Sequence, residues 1–343
     1  LIISLTKVNN RMINPDGTRV IQGRSRIDYN TSNSVKCYLP ENIVMAGFRF
    51  MGSYKNGNGL YISSGVGAQG YLAVNDSTNL AFESTRHTKN WYAVFAVAND
   101  SDSQATLVNV PFFRAGSVAG NVINLAEGGE TNADTVTATT YSMATNVLVG
   151  SEVLIIQEGR QFSGKTTTVT ANTNGSVTVA NAGSMGPNDF FVVSPPSKDH
   201  YCYLGSWYLD TSEPRNMADT LQEVNSWGID VIGLPATGAI SSATRYSLAG
   251  QVSPLSTGYI MQLTFSLSTA STGTCAHYIW HDSSAHQTYQ NFVTKYSSST
   301  ETFVDSAIRV CFSREQALFA STAGTLPAQV VARKIRTMGW IEM

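Results

Sequence analysis

Trp91-Tyr92-Ala93-Val94-Phe95-Ala96-Val97 is apolar on both of its alternating sets: Trp91, Phe95 and Val97 on one, Tyr92, Val94 and Ala96 on the other. Successive strand side chains point to opposite faces, so a strand apolar on both faces is covered on both. The run therefore predicts a central strand of the main core. Met261-Gln262-Leu263-Thr264-Phe265-Ser266-Leu267 behaves differently. Its Met, Leu and Phe residues share one face opposite Gln262, Thr264 and Ser266, which predicts an outer strand with one wet side. Elsewhere short Val/Ile/Thr/Tyr/Phe runs are bounded by Gly, Pro, Asn and Ser, as in sandwiches and barrels. Helical periodicity is nearly absent. The best candidate, residues 217–224 after Pro214, reads almost as well as a strand. The expected fold is all-β, a jelly-roll-like β-sandwich carrying a small inserted β-domain.

The inserted unit begins after a seam at Pro111-Phe112-Phe113-Arg114. Within it Val153-Leu154-Ile155-Ile156 reads as a buried strand. Residues 166–171 and 176–179 flank Asn172-Thr173-Asn174-Gly175, a hairpin loop with Gly where φ > 0 is tolerated. Residues 189–193 then run into Pro195-Pro196, a stop that returns the chain to the main fold. The expected division is 1–30 as an N-terminal arm or docking strands and 31–115 as the first part of the sandwich. Residues 116–196 are the insertion and 197–343 the second part. No fixed-period repeat is present.

Charged residues make up 13% of the 343 residues, against about 25% in typical domains. The surface must then be covered by Ser, Thr, Asn, Gln and Gly, the profile of an assembly subunit or an extracellular β-protein. With 42% hydrophobic residues and a net charge of −2, the composition opposes disorder and offers no basic field for nucleic acid. The tightest basic group, Arg333-Lys334-Ile335-Arg336, reads as a solvated strand edge. No apolar run approaches the ~20 residues of a spanning helix, so membrane insertion is not expected. The four cysteines, Cys37, Cys202, Cys275 and Cys311, form no CxxC pair and are expected to be buried free thiols.

Three segments carry a resemblance. Asn90-Trp91-Tyr92-Ala93-Val94-Phe95-Ala96-Val97 leads into the turn-rich Ala98-Asn99-Asp100-Ser101-Asp102. Tyr203-Leu204-Gly205-Ser206-Trp207-Tyr208-Leu209-Asp210 follows, and the chain ends Thr337-Met338-Gly339-Trp340-Ile341-Glu342-Met343. In this order, across roughly residues 1–115 and 197–343, they resemble structural proteins of tailed bacteriophages. In such proteins the two aromatic strands usually lie close in sequence, so the intervening block reads as an insertion on a loop. The resemblance implies a virion component assembled in the bacterial cytoplasm: a fibre, spike or decoration subunit on tail, collar or head. Its implied partners are other virion proteins, identical copies in a homotrimer and a host-surface glycan. Leu1, Ile2, Ile3 and Leu5, with Trp340 and Ile341, are the candidate docking or oligomer contacts.

Motifs that would carry chemistry are weak. Residues 159–166 fit GxxxxGK[ST], but a phosphate-binding loop must open into a helix, and the β-branched run after Lys165 resists one. His277, His281 and His286 lie close together without an HExxH pattern, and read as a polar cluster borne on a turn. No GxSxG elbow is present. Asp100 and Asp102 read as an acidic turn rather than a glycosidase pair. No catalytic residue, metal or cofactor is expected. Trp207, Tyr208, Trp280, Tyr289 and Tyr296 are candidate glycan contacts if exposed, since aromatic faces stack on sugars. Core packing is the competing reading for each. The enzymatic alternative is a polysaccharide-depolymerising tailspike module.

Overall fold

The computed structural model describes 11–13, 19–21, 26–31, 34–38, 42–45, 48, 60–63, 70–73, 80–84, 87, 90–102, 104–127, 137–156, 166–209, 229–234, 244–247, 253–267, 273–280, 289–296, 302–304, 309–311, 317–323 and 330–342. Side-chain surroundings are described for 48, 80–84, 87, 90–102, 104–127, 137–156, 166–209 and 253–255. The described elements are all strands.

In chain order the first are β1 (Arg11–Ile13), β2 (Arg19–Ile21), β3 (Arg26–Thr31), β4 (Ser34–Tyr38), β5 (Asn42–Met45), β6 (Leu60–Ser63) and β7 (Gly70–Ala73). The middle of the chain forms β8 (Asn90–Ala98), β9 (Thr106–Pro111), β10 (Phe113–Ala119), β11 (Val122–Ala126) and β12 (Glu152–Ile156). It continues with β13 (Thr166–Asn172), β14 (Ser176–Val179), β15 (Phe190–Val193) and β16 (His200–Leu209). Then come β17 (Ile229–Leu234), β18 (Thr244–Ser247), β19 (Ser256–Leu267), β20 (Gly273–Trp280) and β21 (Tyr289–Tyr296). The last are β22 (Thr302–Val304), β23 (Arg309–Cys311), β24 (Ala317–Ala323) and β25 (Val330–Glu342).

The strand apolar on both faces is central, as its sequence predicts. β8 lies between β16 and β9 in a three-stranded antiparallel sheet, and every one of its residues is buried. Tyr92 stacks on Trp207 at 5.0 Å between ring centroids, Trp91 lies 5.1 Å from Tyr208, and Phe95 meets Tyr203 edge-on at 5.6 Å. These offset and edge geometries suit the quadrupoles of aromatic rings. β16 and β8 pair from His200↔Ala98 to Leu209↔Asn90, so two of the aromatic segments far apart in sequence form one ladder. Its register shifts between Tyr203 and Gly205, and Gly205 takes φ 155°, a conformation that L side chains rarely adopt.

Between β9 and β16 the chain builds a closed six-stranded barrel in the order β10-β11-β14-β13-β12-β15. Closure comes from β10 against β15, with Phe113 opposite Phe191. Burial alternates along its walls: Ile123 on β11, Val169 on β13, and Val177 and Val179 on β14 are buried while their neighbours are more open. A barrel this small is filled by its own side chains. β13 and β14 form the predicted hairpin. Gly175 plays a different part from the one expected, because it is not among the glycines with positive φ, Gly120, Gly150, Gly183 and Gly205. Its carbonyl accepts from Leu125 N–H at 2.9 Å, and a Cβ there would lie 3.5 Å from the Thr140 methyl. That is ordinary van der Waals contact, so neither a left-handed turn nor a close approach requires glycine at 175.

One hydrophobic cluster runs through barrel and sheet together. Phe113 stacks on Phe191 at 5.1 Å and on Phe82 at 6.1 Å, and meets Tyr141 edge-on at 4.8 Å. The barrel's first strand starts at Phe113, within the Pro111–Arg114 seam, and its first residues belong to the shared core.

The rest of the chain forms a five-stranded sheet, β17-β25-β19-β22 with β23 also on β19, and a four-stranded sheet, β18-β24-β20-β21. Smaller sheets are β3-β4-β7, β5-β6 and β1-β2. β19 pairs with β25 on one side and with β22 and β23 on the other. One sequence reading is corrected here: residues 333–336 lie on an interior strand rather than an edge, since β25 pairs with both β17 and β19. Charge and alternation report on the faces of a strand, whereas edge position is a property of its backbone pairing. The helix candidate 217–224 lies outside the described residues.

Candidate functional site

A short strap, residues 80–84, joins sheet to barrel. Leu80 bridges Asn109 of β9, and Ala81 N–H donates to the Asn109 carbonyl at 3.0 Å. Glu83 bridges Met143 in the barrel's β11–β12 connection, and Ser84 N–H donates to the Ser142 carbonyl at 3.0 Å. This pairing carries the Glu83 carboxyl into the shared core, where its side chain has no solvent exposure. Among the described residues neither carboxyl oxygen has a hydrogen-bond partner.

Around it lies a polar cluster. His87 Nε2 is 3.7 Å from Glu83 Oε1, too far for a hydrogen bond. The His87 ring lies against Tyr141 at 4.3 Å, and Asn90 Nδ2 approaches the Tyr141 hydroxyl at 3.5 Å. The backbone of His87 is held by Tyr92: its N–H donates to the Tyr92 hydroxyl at 2.6 Å, and that hydroxyl donates to the His87 carbonyl at 3.3 Å. Burial governs the protonation of both acid and base. It pushes the Glu83 carboxyl up to about 8 and lowers the His87 imidazole below its usual range. Tyr141 is pushed upward by burial first and by Glu83 second. At neutral pH the site therefore holds a protonated carboxyl beside a neutral imidazole. Chemically it can store and release a proton. With Glu83 wholly enclosed, it offers no face to a substrate.

Sequence reading missed Glu83. Phe82-Glu83-Ser84 looks like an ordinary polar position, and only the pairing of the strap with Asn109 and Ser142 brings it inside.

Other predicted residues fall as follows. Trp207 and Tyr208 are core residues, 1% and 0% exposed, and present no face to a sugar; this corrects their place among the glycan candidates. Trp280 and Tyr289 occupy directly opposed positions of the β20–β21 ladder, and Tyr296 lies opposite Gly273 at its other end. Trp340 and Ile341 pair through β25 with Tyr259 and Gly258 of β19. Leu1, Ile2, Ile3 and Leu5 lie outside the described residues, as do Lys165, His281 and His286. Thr166 opens β13, so the run after Lys165 is strand rather than helix. His277 is a β20 residue opposite Phe292. Asp102 closes the acidic turn by accepting from Asn99 N–H at 2.8 Å, while exposed Asp100 pairs with His200 at 2.6 Å. Cys202 is buried, and its thiol donates to the Tyr203 carbonyl at 3.6 Å. Among the described residues no group of three or more His, Cys, Asp or Glu is placed to hold a metal. No family model and no curated protein matches the sequence.

Proposed function

We propose that this chain is a non-enzymatic structural component of a tailed-phage virion, a fibre, spike or decoration subunit that contributes to particle assembly and host attachment. The observation that carries this reading is the β16–β8 ladder. It joins two of the three segments that resemble phage structural proteins, while the barrel occupies the connection between them. An inserted barrel fits the resemblance, in which the two strands lie close in sequence. The proposal includes a sandwich arrangement of the larger sheets and the division at 1–30, 31–115, 116–196 and 197–343. It also includes trimerisation: low charge lets β-surfaces pack together without desolvating many ions, and repeated identical contacts usually close with rotational symmetry. Partners are other virion proteins. Mass spectrometry of purified particles, followed by placement of the chain in a particle reconstruction, tests the reading; absence from the particle overturns it. Light scattering on the isolated chain is expected to give a trimer, and a strict monomer at tens of micromolar would favour a lone decoration module.

A glycan-binding or depolymerising role is the second reading. It draws on the opposed Trp280 and Tyr289, which put two aromatic residues at one end of the β20–β21 ladder. A glycan array with a reducing-end release assay separates binding from cleavage and both from a purely structural role.

A further inference from the structure

We propose that Glu83 is a proton-operated latch, which in its protonated form holds the 80–84 strap, and with it the barrel, against the three-stranded sheet. The geometry comes first. The strap is bonded to β9 through Ala81 and to the barrel through Ser84, so it spans the joint between the two bodies. At the centre of that span sits a carboxyl group with no exposed side-chain surface and, among the described residues, no donor to either oxygen. An isolated carboxylate in such a place is costly, whereas a neutral carboxylic acid is tolerated. Loss of the proton therefore favours any state in which Glu83 reaches water, and the direct route is for residues 82–84 to leave Met143 and Ser142.

The groups facing Glu83 support a single direction of switching. Among the described residues the titratable ones are His87, on the strap's own continuation, and Tyr141, from the barrel's β11–β12 connection; Glu127 adds a further negative influence on Tyr141. Asn90 of β8 contributes no charge, and among the described residues its own Oδ1 is also unpartnered. Passing the Glu83 proton to His87 would place two charges where burial penalises both, so the pair stays neutral until the proton leaves for solvent. The carboxyl is held up at about 8 against an ordinary 4.5. The native state thus keeps a proton that the unfolded chain gives up. Its stabilising effect is complete below the ordinary carboxyl range and is lost as pH rises through about 8. His87 has the opposite sign and acts on the acid side, because its lowered value costs stability as pH falls.

The test compares the full-length protein with Glu83→Gln, a neutral isostere that cannot ionise. Hydrogen exchange at the strap amides, above all Ser84, is followed at neutral pH and at pH about 9. Both proteins are read at each pH, so the base-catalysed intrinsic rate cancels. In the wild type, protection of Ser84 is expected to fall about tenfold relative to the variant on going to the alkaline condition, with the melting temperature falling in parallel. Equal protection of the two proteins at both pH values overturns the latch. If the variant does not fold, the wild type alone decides: the infrared carbonyl band of a protonated carboxyl group is expected at neutral pH and should fade through about pH 8. Absence of that band at neutral pH overturns the proposal equally.

Discussion

Trp207 shows how one residue can be read two ways until its neighbours are known. As an isolated aromatic in a polar chain it suits a sugar platform. In the fold its indole N–H donates to Asn109 Oδ1 at 3.0 Å while its ring stacks on Tyr92. Asn109 is fully buried and its Nδ2 has no partner, so this bond is the side chain's one satisfied contact among the described residues. Trp207→Phe removes the donor and leaves Oδ1 unpaired. The expected loss is about 1–3 kcal/mol, beyond the smaller ring's lost packing. Urea unfolding followed by circular dichroism checks this, and an unchanged midpoint would remove the hydrogen bond from the account. Residues 91–97 were legible because the pattern of faces reports local burial directly. Trp207 and Glu83 were not, since their surroundings are assembled by Asn109 and Tyr141, distant in sequence.

At the scale of elements, hairpins were legible and long-range pairings were not. Thr166-Thr167-Thr168-Val169-Thr170-Ala171, Asn174-Gly175 and Ser176-Val177-Thr178-Val179 announce β13, a turn and β14, and the ladder follows. Nothing local announces that β16 pairs with β8 rather than with a nearer strand, or that Phe113 belongs to the barrel. The joint between barrel and sheet depends on such distant contacts. Tyr201 of β16 donates its hydroxyl to Glu152 of β12. Tyr201→Phe keeps the ring and removes the donor. Both partners are only half-buried, so a loss of about 1.5 kcal/mol is expected, the lower end for a bond to a charged group. Differential scanning calorimetry should show one transition at a slightly lower temperature, and separation into two transitions would mean the bond couples the bodies more strongly than its energy suggests.

For the whole molecule, the all-β class was legible from composition and strand-length runs, while closure of six strands into a barrel was not. Closure depends on Phe113 finding Phe191, a match that no local pattern encodes. Replacing 116–196 with a short Gly/Ser linker is expected to leave a folded remainder, since closing a loop costs little as its length changes. The remainder should melt lower than the full chain, because Phe82, Phe112 and Phe113 lose neighbours from the barrel. An insoluble product would make barrel and sheet a single folding unit. The pairing of β10 with β15 has a mechanical consequence as well. The chain passes into and out of the barrel at neighbouring antiparallel strands, so both connections lie at one end of the module. A pull on the far end is resisted along these strands, but a force that spreads Phe113 from Val193 opens the barrel one rung at a time, as a zipper opens. Under load, the barrel is strong when drawn outward and weak when its two roots are parted.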